Sequence, residues 1–366
     1  NSPKNPHQGG VSLFFVAMVA KNELNDNFLE YFDESVEFRQ HTDKVTDNLT
    51  GMYLIEFAMD SGQSGGVSSP EFLTKLESFG EWLEQQSEVL HVSILTDVFK
   101  RLNKNLHSDD ESYYRIPEDR ELAAQYLLLY EMSLPYGLDL NNQINVDKSA
   151  TRVTAKLKTM TSKEVLDFEQ RILGWFDDNA PELSTYGVSP TVIFSHLGMR
   201  NIKSMIIGTT IALVLISVLL IFALRSFKIG ALSVVPNLLP VGIGFGIWGL
   251  LVGEIGLALS VVAGMTLGVV VDDTVHFLSK YLRARRERGL NSEDAIRYAF
   301  STVGVALTVN TVVLVAGFLV LATSAFRVNS DMGLLTAITI FIALVADFLL
   351  LPALLMKIDR GQNESS

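Results

Sequence analysis

Apolar and polar positions are distributed unevenly along the chain. Up to residue 200 the two kinds are mixed, whereas from residue 204 to 356 leucine, valine, isoleucine, alanine and glycine dominate. A helix that crosses a bilayer needs about 20 mostly apolar residues. Five stretches of the second part meet this length: 204–224, 229–252, 255–279, 302–322 and 332–356. Because lipid gives backbone groups no hydrogen-bonding partner, these stretches predict five transmembrane helices rather than open strands.

The polar first part contains strand-like and helix-like patterns in turn. A strand-like pattern is present at 52–59, 90–95 and 150–160, and a closing strand is expected at 184–194. Helix-like spacing of apolar residues is present at 69–86, 120–132 and 161–178. Two strand–helix–strand units predict an α+β domain, with a ferredoxin-like arrangement.

Basic residues between the apolar stretches set the expected orientation. The first connection, the third connection and the segment after the last stretch are basic: Arg225, Lys228, Lys280, Arg283, Arg285, Arg286, Arg288, Lys357 and Arg360. The second connection holds Glu254, and the fourth holds Arg327 with Asp331. Because basic loops stay in the cytoplasm, we expect a cytoplasmic C-terminus and a location on the outer side of the membrane for the region before Ser204. That side is the periplasm if the membrane is the inner membrane of a diderm bacterium.

These patterns divide the chain into four parts. Residues 1–20 contain an apolar run at 11–20, about half the length of a span, which we interpret as the remnant of a leading membrane helix or as a tail. Residues 21–200 are expected to form the extracytoplasmic α+β domain. Residues 201–358 are expected to form the five-helix bundle, and residues 359–366 a cytoplasmic tail.

Two adjacent carboxylates lie in the third apolar stretch. An ionised aspartate near the centre of a membrane helix costs about 2.5 to 3.5 kcal/mol on insertion scales. Burial and mutual repulsion disfavour the ionisation of both Asp272 and Asp273, so at least one is expected to carry a proton. His276 follows at helical spacing and shares a face with both. This group is suited to taking up and releasing a proton.

Further polar residues lie within the last two apolar stretches, namely Thr308 and Asn310 in the fourth and Asp347 in the fifth. Together with the aspartate pair and His276 they predict a proton relay between helices. The alternative is that polar side chains only hold the helices together, and it stays open for Thr308, Asn310 and Asp347. It explains the aspartate pair poorly, because helix association needs neither two carboxylates nor their insertion cost.

Glycines and prolines in the apolar stretches predict close packing and kinks. Gly264 and Gly268 precede the aspartate pair at four-residue intervals and would let a neighbouring helix approach. The segment 244–249 matches the G-x-G-x-x-G pattern of dinucleotide-binding proteins, but it lies inside an apolar stretch after Pro236 and Pro240. Close helix packing and a proline kink explain it better than a nucleotide site does.

Composition excludes several classes of function. The chain has no cysteine, so thiol catalysis, disulfides and cysteine-bound metals are excluded. Its net charge of −12 argues against nucleic acid as a partner. The histidines lack the spacing of metal ligands, and no nucleophile–base set is present. We therefore expect no cofactor and no metal, and an enzyme is the least favoured interpretation.

Three stretches together resemble the resistance–nodulation–division (RND) superfamily of exporters, in particular its MMPL and hopanoid-exporter branch. They are PNLLPVGIGFGIWGLL at 236–251, GMTLGVVVDDTVHFLSKYLRARRERG at 264–289, and DFLLLPALL at 347–355. The resemblance extends over nearly the whole chain after residue 20, and the bundle is also similar to sterol-sensing domains. It implies export of hydrophobic or lipid-like molecules driven by the proton-motive force, with an outer porter domain and with acidic residues at the position of Asp272 and Asp273 carrying the protons.

The size of the chain departs from this family. Members usually have twelve spans in two repeats, and each repeat has one span before the porter domain and five after it. This chain resembles the second repeat, so the expected partners are the lipid bilayer, hydrophobic cargo, protons, and an N-terminal half or further copies of the chain. The alternatives are a sterol- or lipid-sensing module that does not transport, and a module that assists protein secretion.

Overall fold

The computed structural model describes residues 6–26, 28–135 and 138–363. The first residues of the segment predicted at 1–20 and the last residues of the tail predicted at 359–366 lie outside these ranges. Within them the α-helices are, in chain order, α1 (Pro6–Ala17), α2 (Glu37–Asn48), α3 (Pro70–Glu84), α4 (Leu95–Leu106), α5 (Arg120–Ser133), α6 (Ser162–Asn179), α7 (Pro190–Leu224), α8 (Phe227–Leu251), α9 (Leu257–Glu287), α10 (Ser292–Ala299), α11 (Val305–Leu321) and α12 (Arg327–Asn363). The strands are β1 (Glu23–Leu24), β2 (Tyr53–Asp60), β3 (Val89–Ser93), β4 (Ala150–Leu157) and β5 (Glu254–Ile255).

The chain divides into two compact units. The sheet domain comprises Gln40–Leu197, and the helical unit comprises the residues up to Arg39 together with those from Gly198 onward. Residues 21–39, which the sequence pattern assigned to the polar domain, are part of the helical unit. Backbone pairing explains this, because β1 runs parallel to β5 and Phe32 forms an antiparallel bridge with Phe326.

Helices of the length and composition of membrane spans dominate the helical unit. Among the described residues five qualify: Pro190–Leu224, Phe227–Leu251, Leu257–Glu287, Ser292–Leu321 and Arg327–Lys357. The five predicted spans are therefore confirmed as helices, and the protein is a multi-pass membrane protein. Each of the observed helices except α8 extends well beyond the predicted apolar stretch, because polar residues such as Lys280 and Arg283 continue the helix past the apolar part.

A three-stranded antiparallel sheet forms the centre of the sheet domain. Strand β4 lies in the middle and pairs with β2 on one side and β3 on the other. The three strands predicted from alternation are thereby confirmed. Helices α3 and α6 supply the aromatic side chains of the core, where the rings of Phe79 and Phe57 are 5.2 Å apart and those of Phe79 and Phe176 are 4.7 Å apart.

The prediction of a closing strand at 184–194 is wrong. Only Val188 pairs with the sheet, through an isolated antiparallel bridge to Glu56. The chain then enters α7 at Pro190, and the hydroxyl of Ser189 accepts a hydrogen bond from the backbone N–H of Val192 at 3.1 Å. Proline in the first turn and a serine cap are the usual start of a helix, and they end the extended segment here.

The basic connection between α9 and α10 has the turn chemistry expected of it. Gly289 follows the end of α9 with a φ of 63°, a conformation that glycine adopts without strain. Asn291 then caps α10, since its side chain accepts a hydrogen bond from Asp294 N at 2.9 Å. Helix α10 continues into α11 without a break, because a π-helical segment, Phe300–Gly304, joins the two.

Close helix packing in the helical unit depends on the glycines of α8, as predicted for the segment 244–249. A β-carbon on Gly246 would lie 1.7 Å from the carbonyl oxygen of Phe15 in α1, and one on Gly244 would lie 2.4 Å from Thr339 Oγ1 in α12. No side chain fits at either place. These glycines therefore let α8 pack directly against α1 on one side and α12 on another.

Candidate functional site in the membrane helices

The two adjacent aspartates of α9 have opposite environments. Asp273 is buried, with 6% of its surface exposed, whereas the side chain of Asp272 is 69% exposed. Successive residues of a helix point about 100° apart, so neighbours in sequence can face the interior and the exterior of a bundle. The two carboxyl groups are therefore in different surroundings, although they are close enough for the charge of one to act on the other.

Asp272 shares its exposed face with His276. The Nε2 atom of His276 lies 3.6 Å from Oδ1 of Asp272, one turn further along α9, and both side chains are mostly exposed. Gly264 and Gly268 lie on the same face at four-residue spacing and are also exposed. This face of α9 is thus a stripe of small and ionisable residues. The described part of the chain approaches it at Gly264, through Thr209 of α7, and leaves Gly268, Asp272 and His276 exposed.

Asp273 connects α9 with α11. Its carboxylate has the side chain of Asn310 as a hydrogen-bonding partner. Both residues belong to the proton relay predicted from the sequence. Asn310 is itself on an exposed part of α11. The side-chain amide of Asn310 therefore lies between the exposed surface of α11 and the buried carboxylate of Asp273.

Asp347 connects α12 with α9. The hydroxyl of Thr274 donates a hydrogen bond of 3.1 Å to Oδ1 of Asp347, and only 2% of the surface of Asp347 is exposed. Its second oxygen, Oδ2, has no hydrogen-bonding partner among the described residues. Thr274 follows Asp273 directly, so the two buried carboxyl groups lie beside each other at the contact of α9 and α12.

The structure thus brings together most of the predicted relay. Asp272, Asp273 and His276 lie on neighbouring faces of α9, with Asn310 and Asp347 supplied by α11 and α12. Thr308 is not joined to them, because its hydroxyl donates to Gly304 O of its own helix at 2.9 Å. Thr308 instead lines an open groove beside Phe300 and Phe348.

The predicted packing residues also differ from one another. A β-carbon on Gly264 would lie 3.3 Å from Thr209 Oγ1 of α7, so a neighbouring helix does approach there. Gly268 has nothing within 4 Å among the described residues, so close packing at Gly268 stays a prediction. Pro236 and Pro240 are buried inside α8, which continues through both.

Sequence reasoning missed two buried polar residues at this site. Thr274 was not singled out, because a hydroxyl beside two aspartates gives no signal of its own among the many serines and threonines of membrane helices. Asn237 of α8 was overlooked between Pro236 and Pro240, although an amide in an apolar stretch is itself unusual. Both are almost fully buried.

This arrangement provides carboxyl, amide and hydroxyl groups from α9, α11 and α12 within the apolar helices. Such groups can hold protons and pass them on over short distances. Within residues 6–26, 28–135 and 138–363 no group of three or more histidines, aspartates and glutamates could hold a metal ion.

Long apolar helices that carry buried carboxyl groups, beside a separate sheet domain, define a class of membrane protein. A model described as the MMPL family matches residues 147–362, which is more than half of the chain. The chain therefore belongs to the MMPL family, within the RND superfamily, whose members are transporters. The match includes α9, α11 and α12 and thus every residue of the predicted relay.

Two curated relatives are similar over part of their length. The chain is 29% identical over 152 residues to a protein of Methanocaldococcus jannaschii whose name describes it only as a membrane protein, a match that covers 42% of this chain and 39% of the relative. It is 28% identical over 145 residues to the hopanoid transporter HpnN of Burkholderia multivorans, covering 40% of this chain and 16% of HpnN. The matches thus span well under half of either relative.

Proposed function

We propose that the chain is the C-terminal half of an exporter that moves lipid-like or hydrophobic molecules out of the inner membrane of a bacterium, driven by the proton-motive force. The observation that carries this proposal is the polar group formed by Asp273 with Asn310 and Asp347 with Thr274, across three membrane helices. Carboxyl groups in membrane helices are rare because of their insertion cost, and they mark ion or proton pathways.

The exposed pair of Asp272 and His276 supports the interpretation as one half of a transporter. In hydrocarbon an uncovered carboxylate beside an imidazole would be costly, so water or another set of helices must cover this face of α9. The exposed glycines Gly264 and Gly268 on the same face would allow that second helix to come close. An N-terminal half with its own spans, or a second copy of the chain, is the partner that fits this face.

The sheet domain supports the proposed porter role. Its strand order, with Val188 next to β2, then β4 and β3, and with α3 between β2 and β3, agrees with a ferredoxin-like arrangement whose last strand is reduced to one bridge. Basic residues at the α7–α8 and α9–α10 connections favour a cytoplasmic location for those ends, which gives the sheet domain a periplasmic location.

The proposed cargo rests on the relative named as a hopanoid transporter and on the exposed apolar side chains of the long helices. Proton uptake at Asp272 and Asp273 from the periplasm would change the charge inside the helices and let neighbouring helices shift. Helix α7 carries residues of both units, Pro190–Leu197 in the sheet domain and Gly198–Leu224 in the helical unit, and could transmit such a shift. Release of the proton to the cytoplasm, with His276 as an intermediate acceptor, would restore the first state.

The test uses vesicles that contain the full-length protein of which this chain is proposed to be one half. Transport of a lipid-like cargo under an imposed pH gradient is compared between the wild type, Asp273→Asn and Asp272→Asn, with Thr308→Val as the matched control in a neighbouring helix. We expect both asparagine variants to lose gradient-driven transport and Thr308→Val to keep it. Equal transport in all four proteins would contradict a coupling role for the aspartates.

The lipid-sensing alternative gives a different outcome in the same experiment. A sensor would move no cargo and would not dissipate the pH gradient in the wild type, although labelled lipid would still bind. Transport by the wild type excludes that alternative, whatever the variants do.

A further inference from the structure

Helix α8 carries a buried polar side chain, Asn237, at the level of Asp347 in α12. Asn237 of α8 is 1% exposed, and its Oδ1 atom has no hydrogen-bonding partner among the described residues. Oδ2 of Asp347 is in the same situation. Leaving a buried acceptor unsatisfied is costly, so two of them at one level of the helices need a common explanation.

The register of the helices places Asn237 level with Asp347. Helices α9 and α12 meet at two levels. Val262 of α9 and Leu335 of α12 belong to one buried cluster. Twelve residues later in each helix, Thr274 and Asp347 are hydrogen-bonded. Helices α9 and α12 therefore run in the same direction. The short connection through β5 reverses the chain between α8 and α9, so α8 runs opposite to α12.

The contact between Gly244 and Thr339 fixes the two opposing helices relative to each other. Asn237 lies seven residues before Gly244, and Asp347 lies eight residues after Thr339, which is about two helical turns in each case. Because the helices run in opposite directions, both steps lead to the same level. Two turns also return close to the same face, so Asn237 is on the side of α8 that faces α12.

We propose that Asn237 is a positioning residue for a proton held by Asp347. The proton is on Oδ2 of Asp347 and is donated to Oδ1 of Asn237, while Thr274 donates to Oδ1 of the same carboxyl group. One proton then satisfies both orphaned acceptors. When it leaves, an anion remains among α8, α9 and α12 with Thr274 as its hydrogen-bond donor, and the contact between the three helices is weakened.

The other ionisable groups around Asp347 are few. Helix α9 presents Asp273 beside it, with Asp272 and His276 on the outer face, while α8 after Lys228 and α11 carry no charged residue. On α12 itself the nearest charges in the sequence are Asp331 and Lys357, and α10 adds Glu293, Asp294 and Arg297 near the basic end of the helices. Asp273 is thus the one ionisable neighbour next to this site in the described chain, and it would exchange protons with Asp347 over the shortest distance.

The role of this proton in transport rests on the function proposed above, but the hydrogen bond itself does not. The test is therefore infrared spectroscopy on the purified chain in lipid nanodiscs, which needs no cargo. A protonated carboxyl group has its own C=O stretching band, and the frequency of the band rises when the group loses a hydrogen bond. We compare the wild type with Asp347→Asn, Asn237→Leu and Asn237→Ala, and use Thr336→Val, another buried polar residue of α12, as the control.

We expect a carboxylic acid band at neutral pH that disappears in Asp347→Asn, while a band from Asp272 or Asp273 remains. In Asn237→Leu, or in Asn237→Ala if the leucine variant does not fold, the band should shift to higher frequency, and Thr336→Val should leave it in place. Absence of a band that depends on Asp347 overturns the proposal, as does a band that does not move in the folded Asn237 variants. Absence of transport by the wild type in the exporter assay, with the infrared result intact, would instead contradict only the proposed function.

Discussion

The sheet domain and the helical unit differ more in their exteriors than in their interiors. In the sheet domain the largest fully buried side chains are aromatic, among them Phe57, Phe79, Phe168 and Phe176. Both units also bury polar side chains, which in the helical unit include Ser233, Asn237, Thr266, Asp273, Thr274, Thr311, Thr336, Thr339 and Asp347, but leucines, valines and isoleucines cover the exterior of the helical unit.

The difference indicates that the sheet domain is surrounded by water and the helical unit by lipid. In water, the burial of apolar surface stabilises a fold by roughly 25 cal/mol per Å². In lipid, association of apolar side chains gains little, and small residues, hydroxyls and amides hold the helices together. The glycines of α8 and the hydroxyl of Thr266, which donates to Val262 O at 2.7 Å, are examples of such contacts.

The largest effect is expected from an aromatic residue of the sheet domain. Phe79→Ala removes a ring that contacts Phe57, Phe176 and Trp175, and it should lower the free energy of unfolding by about 3 to 5 kcal/mol. Hydrogen exchange of the β2 and β4 amides measures this loss. Leu128→Ala, at an exposed position of α5, is the control and should change it little. A comparable loss in both variants would mean that Phe79 is not the centre of the core.

A somewhat smaller effect, on membrane insertion, should distinguish the exposed surface of the helical unit from that of the sheet domain. Leu215 on α7 and Met132 on α5 are both exposed apolar residues, and the comparison predicts lipid around the first and water around the second. Leu215→Arg should make membrane insertion less favourable by about 2.5 to 3.5 kcal/mol. Met132→Arg should leave insertion unchanged. The fraction of protein that resists carbonate extraction measures both, and equal behaviour would contradict the assignment of α7 to the membrane.

The smallest effect concerns an ion pair on the sheet domain. Burial acts to raise the pKa of Glu88, but several hydrogen bonds and the charge of Arg171 together outweigh it and hold the pKa below the ordinary value of 4.5. The hydrogen bonds come from Arg171 at 2.6 Å, from the backbone of Glu88 itself and from Ser87. A lowered pKa in the folded state stabilises the protein above 4.5, and the contribution is lost as the pH falls through the lowered value. Because Arg171 is partly exposed, the contribution is about 1 kcal/mol or less.

Glu88→Gln should therefore reduce stability at neutral pH by up to that amount and flatten the dependence of stability on pH below 4.5. Thermal unfolding at several pH values measures it. Glu118→Gln is the control, since Glu118 and its partner Arg115 are 3.4 Å apart and mostly exposed. Identical pH profiles for the wild type and Glu88→Gln would show that the pair contributes nothing.

The sequence by itself determined the elements with a strong periodic or compositional signal. Length and apolarity identified the five membrane helices, alternation identified β2, β3 and β4, and the insertion cost of carboxylates drew attention to Asp272, Asp273 and Asp347. The turn at Gly289 and the cap at Asn291 were also readable, because their chemistry is local. The G-x-G-x-x-G segment could be rejected as a nucleotide site for the same reason, since it lies in an apolar stretch.

Only the tertiary structure decided which face of each helix is covered. It separated buried Asp273 from exposed Asp272, gave Asp347 the partner Thr274, left Thr308 to its own helix, and brought Asn237 to the level of Asp347. It also replaced the expected closing strand by the start of α7. These outcomes depend on how helices far apart in sequence are rotated and shifted against one another, and a local pattern carries no information about a partner that lies 73 residues away, as Thr274 does from Asp347.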